Sequence, residues 1–267
     1  MTNLSIIIIT WNSEQYITQC FDSVLRCVED ISHELIVIDN GSTDNTRKLL
    51  STYEILDSVN IKYLTQNLGV AKARNIGLRE VTGKYIWILD IDTIVNKEAI
   101  LSMIKFLNET PKCGICACRL TYMDGSTQKS CRKLPTLKYK IYNLVESIFD
   151  NVLTMRLYKF FHKKNQTQFY TKQIEDGIPF EAEYVIGANQ LIRKEALDAV
   201  GLLDEKIFYG PEDADFCLRT KQKDWSIYFL PQVSIIHEYR RITNKKIFSA
   251  MTFKHINALL YYFVKHR

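Results

Sequence analysis

Over the first 92 residues the chain switches between two hydrophobic rhythms. LSIIIIT (4–10) is an almost unbroken β-branched run, the pattern of a strand buried on both faces. Over 13–28, Tyr16, Ile17, Cys20, Phe21, Val24 and Leu25 recur at helical spacing. ELIVID (34–39) predicts a second buried strand. It ends in NGSTDNT, where Thr43 or Asp44 is placed to cap a helix running to about residue 54. IKYLTQ (61–66) predicts a third strand, NLGVAKARNIGLREV (67–81) a loop entering a helix, and GKYIWILDID (83–92) a fourth strand. Strands alternating with helices predict a parallel, Rossmann-like α/β sheet.

Beyond residue 92 the rhythm changes. The pattern predicts a helix over 97–108, a strand over 113–123 and a basic, aromatic, helical stretch over 132–172. VIGANQLIRKEAL (185–197) reads as a strand running into a helix, and 211–222 as a short helix. WSIYFLPQVSIIHE (225–238) supplies one or two strands, and 246–265 has an amphipathic helical pattern. There is no internal repeat and no Gly/Ser linker, so one compact domain is expected.

Composition narrows the class. Hydrophobic residues make up 46% and charged residues 24% of 267, the balance of a globular protein rather than a disordered or low-complexity one. No apolar run reaches the roughly 18 to 20 residues of a membrane span. The start, MTNLSIIIITWN, has no basic n-region and reads as a strand, not a signal peptide. A cytoplasmic setting with seven reduced cysteines is therefore expected. CGICAC contains one C-x-x-C pair, with Cys113, Cys116, Cys118 and Cys131 as zinc candidates. Its apolar surroundings favour buried thiols.

The net charge of +5 hides strong segregation. Residues 132–172 hold nine Lys or Arg against two Asp or Glu, and 238–267 hold seven against one. Residues 173–237 are acidic, with six against twelve. The basic, aromatic segments suit solvated helix faces or an interfacial surface meeting anionic lipid. The acidic segment and the lack of a recognition motif count against nucleic acid.

Candidate chemistry clusters where strands end. Asp90 and Asp92, at i and i+2, share one face if the strand continues through them. Paired carboxylates at a strand's carboxyl end can hold Mg²⁺ or Mn²⁺, or form an ordinary solvated turn. No G-x-G-x-x-G or P-loop follows the first strand. Thr10, Trp11, Asn12 and Glu14 stand there instead, and Asp39 ends the second strand. Asn67, Gly69, Arg74 and Asn75 follow the third, with Arg74 a candidate diphosphate partner. Each of these singly is as well explained as a cap, a turn residue or a surface charge. ILDIDTIV also resembles the haloacid-dehalogenase phosphatase motif, in which the first Asp is a phosphoryl nucleophile. That family carries it on the first strand, whereas three strand signals precede it here.

Six blocks in order carry a more specific resemblance: SIIIITWNSEQYITQCFDSVL, ELIVIDNGSTDNT, QNLGVAKARNIGL, YIWILDIDT, GANQLIRKEAL and the GLLDE…FYGPEDADFCLRTK…HE region. Over about residues 4–238, with a gap at 132–172, the chain resembles family 2 glycosyltransferases of the GT-A fold. The later blocks look most like bacterial rhamnosyltransferase-type members of surface-polysaccharide synthesis. The resemblance implies a single GT-A domain over 1–240, with a nucleotide-sugar-binding half (1–120), an acceptor half (121–240) and a basic amphipathic tail (241–267). It implies that Thr10, Asn12, Glu14 and Asp39 contact base and ribose, and that Asn67, Arg74 and Asn75 close over the nucleotide. Asp92 would hold the metal, Asp90 would lie near the ribose or donor sugar, and His237 would complete the metal site. Gly187 and Ala188 would floor the donor sugar.

The resemblance makes Asp213 of EDADF the general base, Glu212 the second candidate and Asp215 structural. Proline near the first turn and carboxylates at the positive dipole end are also good helix grammar. The implied reaction is a single inverting displacement, dependent on Mg²⁺ or Mn²⁺, from a dTDP- or UDP-sugar to a saccharide or lipid-linked acceptor. A haloacid-dehalogenase-like phosphatase and a non-catalytic nucleotide-sugar-binding protein are the alternatives.

Overall fold

The computed structural model describes residues 3–137, 169–238 and 250–267, with side chains from 254 onward in the last segment. Its first part is the expected alternation: β1 (Leu4–Thr10), α1 (Ile17–Cys27), β2 (His33–Asp39), α2 (Thr46–Leu50), β3 (Val59–Tyr63), α3 (Val70–Leu78) and β4 (Tyr85–Asp90). Then come β5 (Thr93–Ile94), α4 (Lys97–Glu109), β6 (Cys113–Thr121), β7 (Cys131–Arg132) and α5 (Thr171–Glu175). The last part holds β8 (Phe180–Glu181), β9 (Tyr184–Val185), β10 (Asn189–Arg193), α6 (Lys194–Val200), α7 (Glu212–Gln222), β11 (Ser226–His237) and α8 (Ala250–Lys265).

One sheet runs β3-β2-β1-β4-β10-β6-β11-β5, with β8 also on β11. β1 to β4 are mutually parallel. β10 runs antiparallel to both β4 and β6. It thereby splices the two parts of the chain into one sheet. The pleat of β1 sorts its side chains between two cores. Ile6 and Ile8 face Phe21 and Val24 of α1 and Met103 of α4, while Ile7 packs with Ala71 and Ala73 of α3. Burial on both faces explains why β1 reads as an unbroken apolar run.

Several boundaries differ from the sequence expectation, each for a local reason. α2 stops at Leu50 and a 3₁₀ turn covers Ser51–Tyr53. There the hydroxyls of Ser51 and Thr52 donate back to the carbonyls of Lys48 and Leu49, an alternative to continued helix. β3 lies two residues earlier than expected because its pairing with β2 runs from Leu35↔Val59 to Asp39↔Tyr63, where β2 ends. β11 is one strand with an irregularity between Leu230 and Ser234, at Pro231, which has no N–H to give the ladder. Of the basic 132–172 stretch, Arg132 is strand and 171–175 helix, so helix does not run through the whole of it. Its residues 138–168 lie outside the described residues.

The C-terminal helix is docked. Ala258 and Tyr262 of α8 are buried. Lys265 Nζ lies 2.6 Å from Asp215 and 2.8 Å from Asp204, and His266 Nε2 lies 2.7 Å from Asp215. Asp215, fully buried on α7, also pairs with Arg219 at 2.8 Å. This carboxylate thus joins α8 to α7.

Candidate active site

The carboxyl ends of the parallel strands meet at one edge, where ligands of open α/β sheets bind. Register alone sets Thr10 beside Asp39, and Ile9 beside Asp90. A cavity of about 390 Å³ opens there. Thr10, Asn12, Asn67, Asp90, Asp92 and His237 line it, together with Trp11, Tyr16, Asn40, Gly69, Phe208 and Tyr209. Six predicted residues thus share one wall.

Asp90 and Asp92 come together by a different route from the one expected. β4 ends at Asp90, and Asp92 lies in the turn before β5 rather than two strand positions further along. The turn is closed by Thr93 Oγ1 donating to the Asp90 carbonyl at 2.8 Å and by Glu238 N–H donating to the Asp92 carbonyl at 2.8 Å. The end of β11 is therefore tied to this turn, which brings His237 Nε2 within 3.2 Å of Asp92 Oδ1. Ligand atoms of Asp90, Asp92 and His237 all lie within 4.8 Å of one another. Burial disfavours charge on His237, but the hydrogen bond it donates to Asp92 and the charges of both aspartates outweigh that, so its pKa is raised. Among the described residues this trio is the one cluster of three potential metal ligands. The seven cysteines are all buried and free, with burial pushing the Cys113 and Cys118 thiols up to about 12, so none is poised as a thiolate ligand.

Arg74 is an internal bridge. Its guanidinium donates to Asp90 Oδ1 at 2.6 Å and to the Gly187 carbonyl at 2.9 Å, and stands 3.6 Å from Glu212. Its side chain is only 5% exposed, so in this structure it faces protein rather than an open diphosphate site. Gly187 is needed for that approach, because a Cβ there would meet Arg74 at 2.5 Å. Ala188 adjoins the same point, its carbonyl accepting from Asp90 N–H at 3.1 Å.

Asp213 is wired into this bridge from the other side. Its Oδ2 accepts from Gly187 N–H and from the Tyr184 hydroxyl, both at 3.0 Å, and its Oδ1 accepts from Ala214 N–H at 2.8 Å. Three donors fix the orientation of this carboxylate and leave lone-pair capacity for one more partner. Burial, and then the neighbouring Asp213 charge, raise the Glu212 pKa against the opposing pull of Arg74.

Other predicted residues do not line the cavity. Asp39 is fully buried, accepting from Thr10 Oγ1 at 3.2 Å and from Arg47 Nε at 2.7 Å. Glu14 accepts from Asn45 N–H at 3.0 Å, and Asn12 Oδ1 accepts from Thr43 N–H at 2.8 Å. Those bonds stitch the loop after β1 to the loop after β2. Asn75 holds Leu203 by both its carboxamide atoms, at 2.8 and 3.0 Å. Sequence reasoning missed Phe208, Tyr209, Tyr184 and Gln128. The only available signal for the first two was their closeness to EDADF. Gly69 shows how close they come: with φ +86°, it lies where a Cβ would meet the Phe208 carbonyl at 2.6 Å.

Comparison with known proteins agrees with this architecture. The family model described as "Glycosyl transferase family 2" matches residues 5–201. The putative teichuronic acid biosynthesis glycosyltransferase TuaG of Bacillus subtilis is 37% identical over 117 residues, covering 41% of this chain and 45% of TuaG. The chain thus spans less than half the length of that relative. The dTDP-rhamnosyl transferase RfbF of Shigella flexneri is 22% identical over 240 residues, 88% of this chain and 69% of RfbF. Among solved structures, the mannosyltransferase PcManGT of Pyrobaculum calidifontis, in complex with GDP-Man and Mn²⁺, has a TM-score of 0.63 at 17% identity, covering 99% of this chain and 64% of its own. TarS of S. aureus in complex with UDP has a TM-score of 0.59 at 20% identity, covering 88% of this chain and 60% of its own. These likenesses show the GT-A fold, and the family match shows that the chain belongs to glycosyl transferase family 2.

Proposed function

We propose that the protein is an inverting glycosyltransferase that moves a sugar from a nucleoside-diphosphate donor to a hydroxyl of a saccharide or lipid-linked acceptor in surface-polysaccharide or cell-wall synthesis. The observation that carries this is the pairing of the Asp90–Asp92–His237 trio on the cavity wall with Asp213, through Arg74 and Gly187. Donor and acceptor chemistry then have separate carboxylates joined by one rigid chain of bonds. Asp213 takes the proton of the acceptor hydroxyl as its oxygen attacks the anomeric carbon. The glycosidic bond forms as the bond to the diphosphate breaks, and the nucleoside diphosphate leaves with the electron pair. One displacement inverts the anomeric centre and needs no enzyme-bound intermediate.

The trio fits Mg²⁺ or Mn²⁺: two carboxylates and one imidazole suit these ions better than soft metals. Asp92 and His237 would hold the ion, with Asp90, anchored by Arg74, as the third candidate ligand. A cation there would offset the charge of the departing diphosphate. Thr10, Asn12 and Asn67 on the wall suit the nucleoside. Asp39, Glu14 and Asn75 support that wall from behind, and Gly187 and Ala188 sit beneath Asp90.

The donor is read as dTDP-rhamnose or a UDP-hexose, on the strength of the names of RfbF and of the UDP-bound neighbour. A thermal-shift panel tests this. In the presence of Mn²⁺, a dTDP- or UDP-sugar is expected to raise the melting temperature by several degrees, through binding to the native state alone. No shift with any of the dTDP-, UDP- and GDP-sugars would refute the reading. A phosphatase on Asp90 is disfavoured, because the Asp90 carboxylate is engaged by Arg74 and the motif sits on the fourth strand.

The same reading places the protein against an anionic membrane where lipid-linked acceptors reside. Among the described residues no helix is long and apolar enough to cross a membrane. On α8, however, Ile256, Leu260 and Val264 are 44%, 55% and 64% exposed along one stripe, within a segment rich in Lys and Arg. In flotation, more protein is expected to rise with anionic than with neutral liposomes, and high salt is expected to abolish the difference. Equal recovery with both vesicle types rules out the electrostatic attachment.

A further inference from the structure

Gln128 lies next to the trio but off the cavity wall, and none of the site roles above needs it. It follows the turn that leaves β6, its own N–H donating to the Leu120 carbonyl at 2.8 Å. It is buried. Its side-chain Nε2 donates to the His237 carbonyl at 2.6 Å and to the Thr121 carbonyl at 3.3 Å. Its Oε1 lies 2.8 Å from His237 Nδ1.

These three contacts settle which way the amide points. Flipping it would set the amide oxygen against two carbonyl oxygens, none of them able to donate. Oε1 must therefore be the atom facing Nδ1, and since it can only accept, Nδ1 must carry a proton. In a neutral imidazole the lone pair then belongs to Nε2, the atom that stands 3.2 Å from Asp92. Nε2 and the carboxylate are both acceptors in that state. Either a proton on Nε2 or a cation joins the two.

We infer that Gln128 is a positioning residue for the divalent-cation site: it selects the Nδ1–H tautomer of His237 and aims the Nε2 lone pair at the ion held with Asp92. The inference rests on the metal reading of the trio given above. It adds what that reading lacked, namely why His237 is ready to act as a ligand before any ion arrives. The amide fixes two things at once. Its NH₂ group holds the backbone of His237 against the Thr121 end of β6, and its oxygen holds the ring. A ligand whose ring orientation and tautomer are preset has less freedom to lose on binding.

The test uses Mn²⁺ binding to the full chain, measured by calorimetry without donor, so that activity is not the readout. Wild type, His237→Ala, Gln128→Met and Gln128→Glu are compared. Met has nearly the shape of Gln but offers Nδ1–H no oxygen, whereas Glu keeps an acceptor. Gln128→Met is expected to weaken Mn²⁺ about 10- to 100-fold, the usual cost of losing such a partner. Gln128→Glu keeps the acceptor but sets its second oxygen against the His237 and Thr121 carbonyls, so it is expected to bind Mn²⁺ more tightly than Gln128→Met while being less stable than wild type. Equal binding by wild type and Gln128→Met overturns the inference and leaves the metal reading standing. If wild type binds no better than His237→Ala, the metal reading falls and takes the inference with it. Should Gln128→Met not fold, the tautomer decides: long-range ¹H–¹⁵N spectra of the Mg²⁺-loaded wild type are expected to show His237 protonated at Nδ1. Protonation at Nε2 would overturn the inference.

Discussion

Replacing Asp213 by asparagine is expected to lower kcat for sugar transfer roughly 10²- to 10⁴-fold, the span associated with a positioned general base. The argument turns on how little else the substitution disturbs. The asparagine oxygen can keep the two donors now on Oδ2, Gly187 N–H and the Tyr184 hydroxyl, each at 3.0 Å. Its NH₂ then lies on the Ala214 side and forfeits one local bond of 2.8 Å. The stability cost is of the order of 1 kcal/mol. What disappears is the carboxylate's capacity to take a proton. Donor binding is expected to persist, because Asp213 is not on the cavity wall. Steady-state transfer assays beside a donor-induced melting shift check both halves. Transfer within about threefold of wild type by a folded Asp213→Asn protein would remove Asp213 as the base and bring Glu212 forward.

The second large effect falls on stability. Arg74→Met is expected to cost about 3–5 kcal/mol, because it strips the nearest cation from buried Glu212 and a donor from the Gly187 carbonyl. In a chain of this size that lowers the melting temperature by roughly 10 °C. Asp90 loses its 2.6 Å partner, the Gly187 carbonyl loses a donor at 2.9 Å, and Glu212 loses its nearest cation at 3.6 Å. The loss depends on pH in a definite direction. The Glu212 pKa is already raised by burial and by Asp213, and the removal of Arg74 takes away the one charge that opposed the rise. Below the raised value Glu212 takes up a proton and the missing cation matters less. Above it the carboxylate stays charged and unpaired. The destabilisation is therefore larger at pH 8 than at pH 5, and chemical denaturation at the two pH values measures it. Arg74→Lys keeps the charge but not the planar fork, so it falls between. A loss below 1 kcal/mol at pH 8 would mean that the bridge carries little of the fold.

Much of the fold was legible because each rhythm has one physical source. β1, β2 and β4 are buried on both faces, so they appear as apolar runs. α1 and α4 each bury one side, so their apolar residues return every three to four positions. The ends of elements were less legible. α2 and β3 stop where side-chain bonds and register stop them, and neither leaves a hydrophobic trace. The strand-end position of Thr10, Asp39 and Asp90 followed directly from strand recognition.

Whether such a residue faces the cavity or its supporting shell could not be read the same way. Asp39 and Asp90 look alike in sequence, each closing an apolar run. Arg47 reaches back from α2 and buries Asp39, whereas Arg74 takes one oxygen of Asp90 and leaves it on the wall. Arg74 itself looked like a cation for a ligand's phosphates, yet it is enclosed by protein on the residues expected to serve the donor and the base.

The strand–helix alternation, the parallel first half of the sheet and the residue types at its carboxyl edge are set by local pattern, since burial on one face or two imprints a period on neighbouring residues. Which of those residues meet is set by packing between segments distant in the chain: Asp92 with His237, Gly187 with Arg74 and Asp213, Gln128 with the His237 ring, and α8 with Asp215. Hydrogen bonds and ion pairs across such separations impose no period. Only the closed sheet edge, with β10 and β11 brought beside β4 and β6, puts their partners within reach.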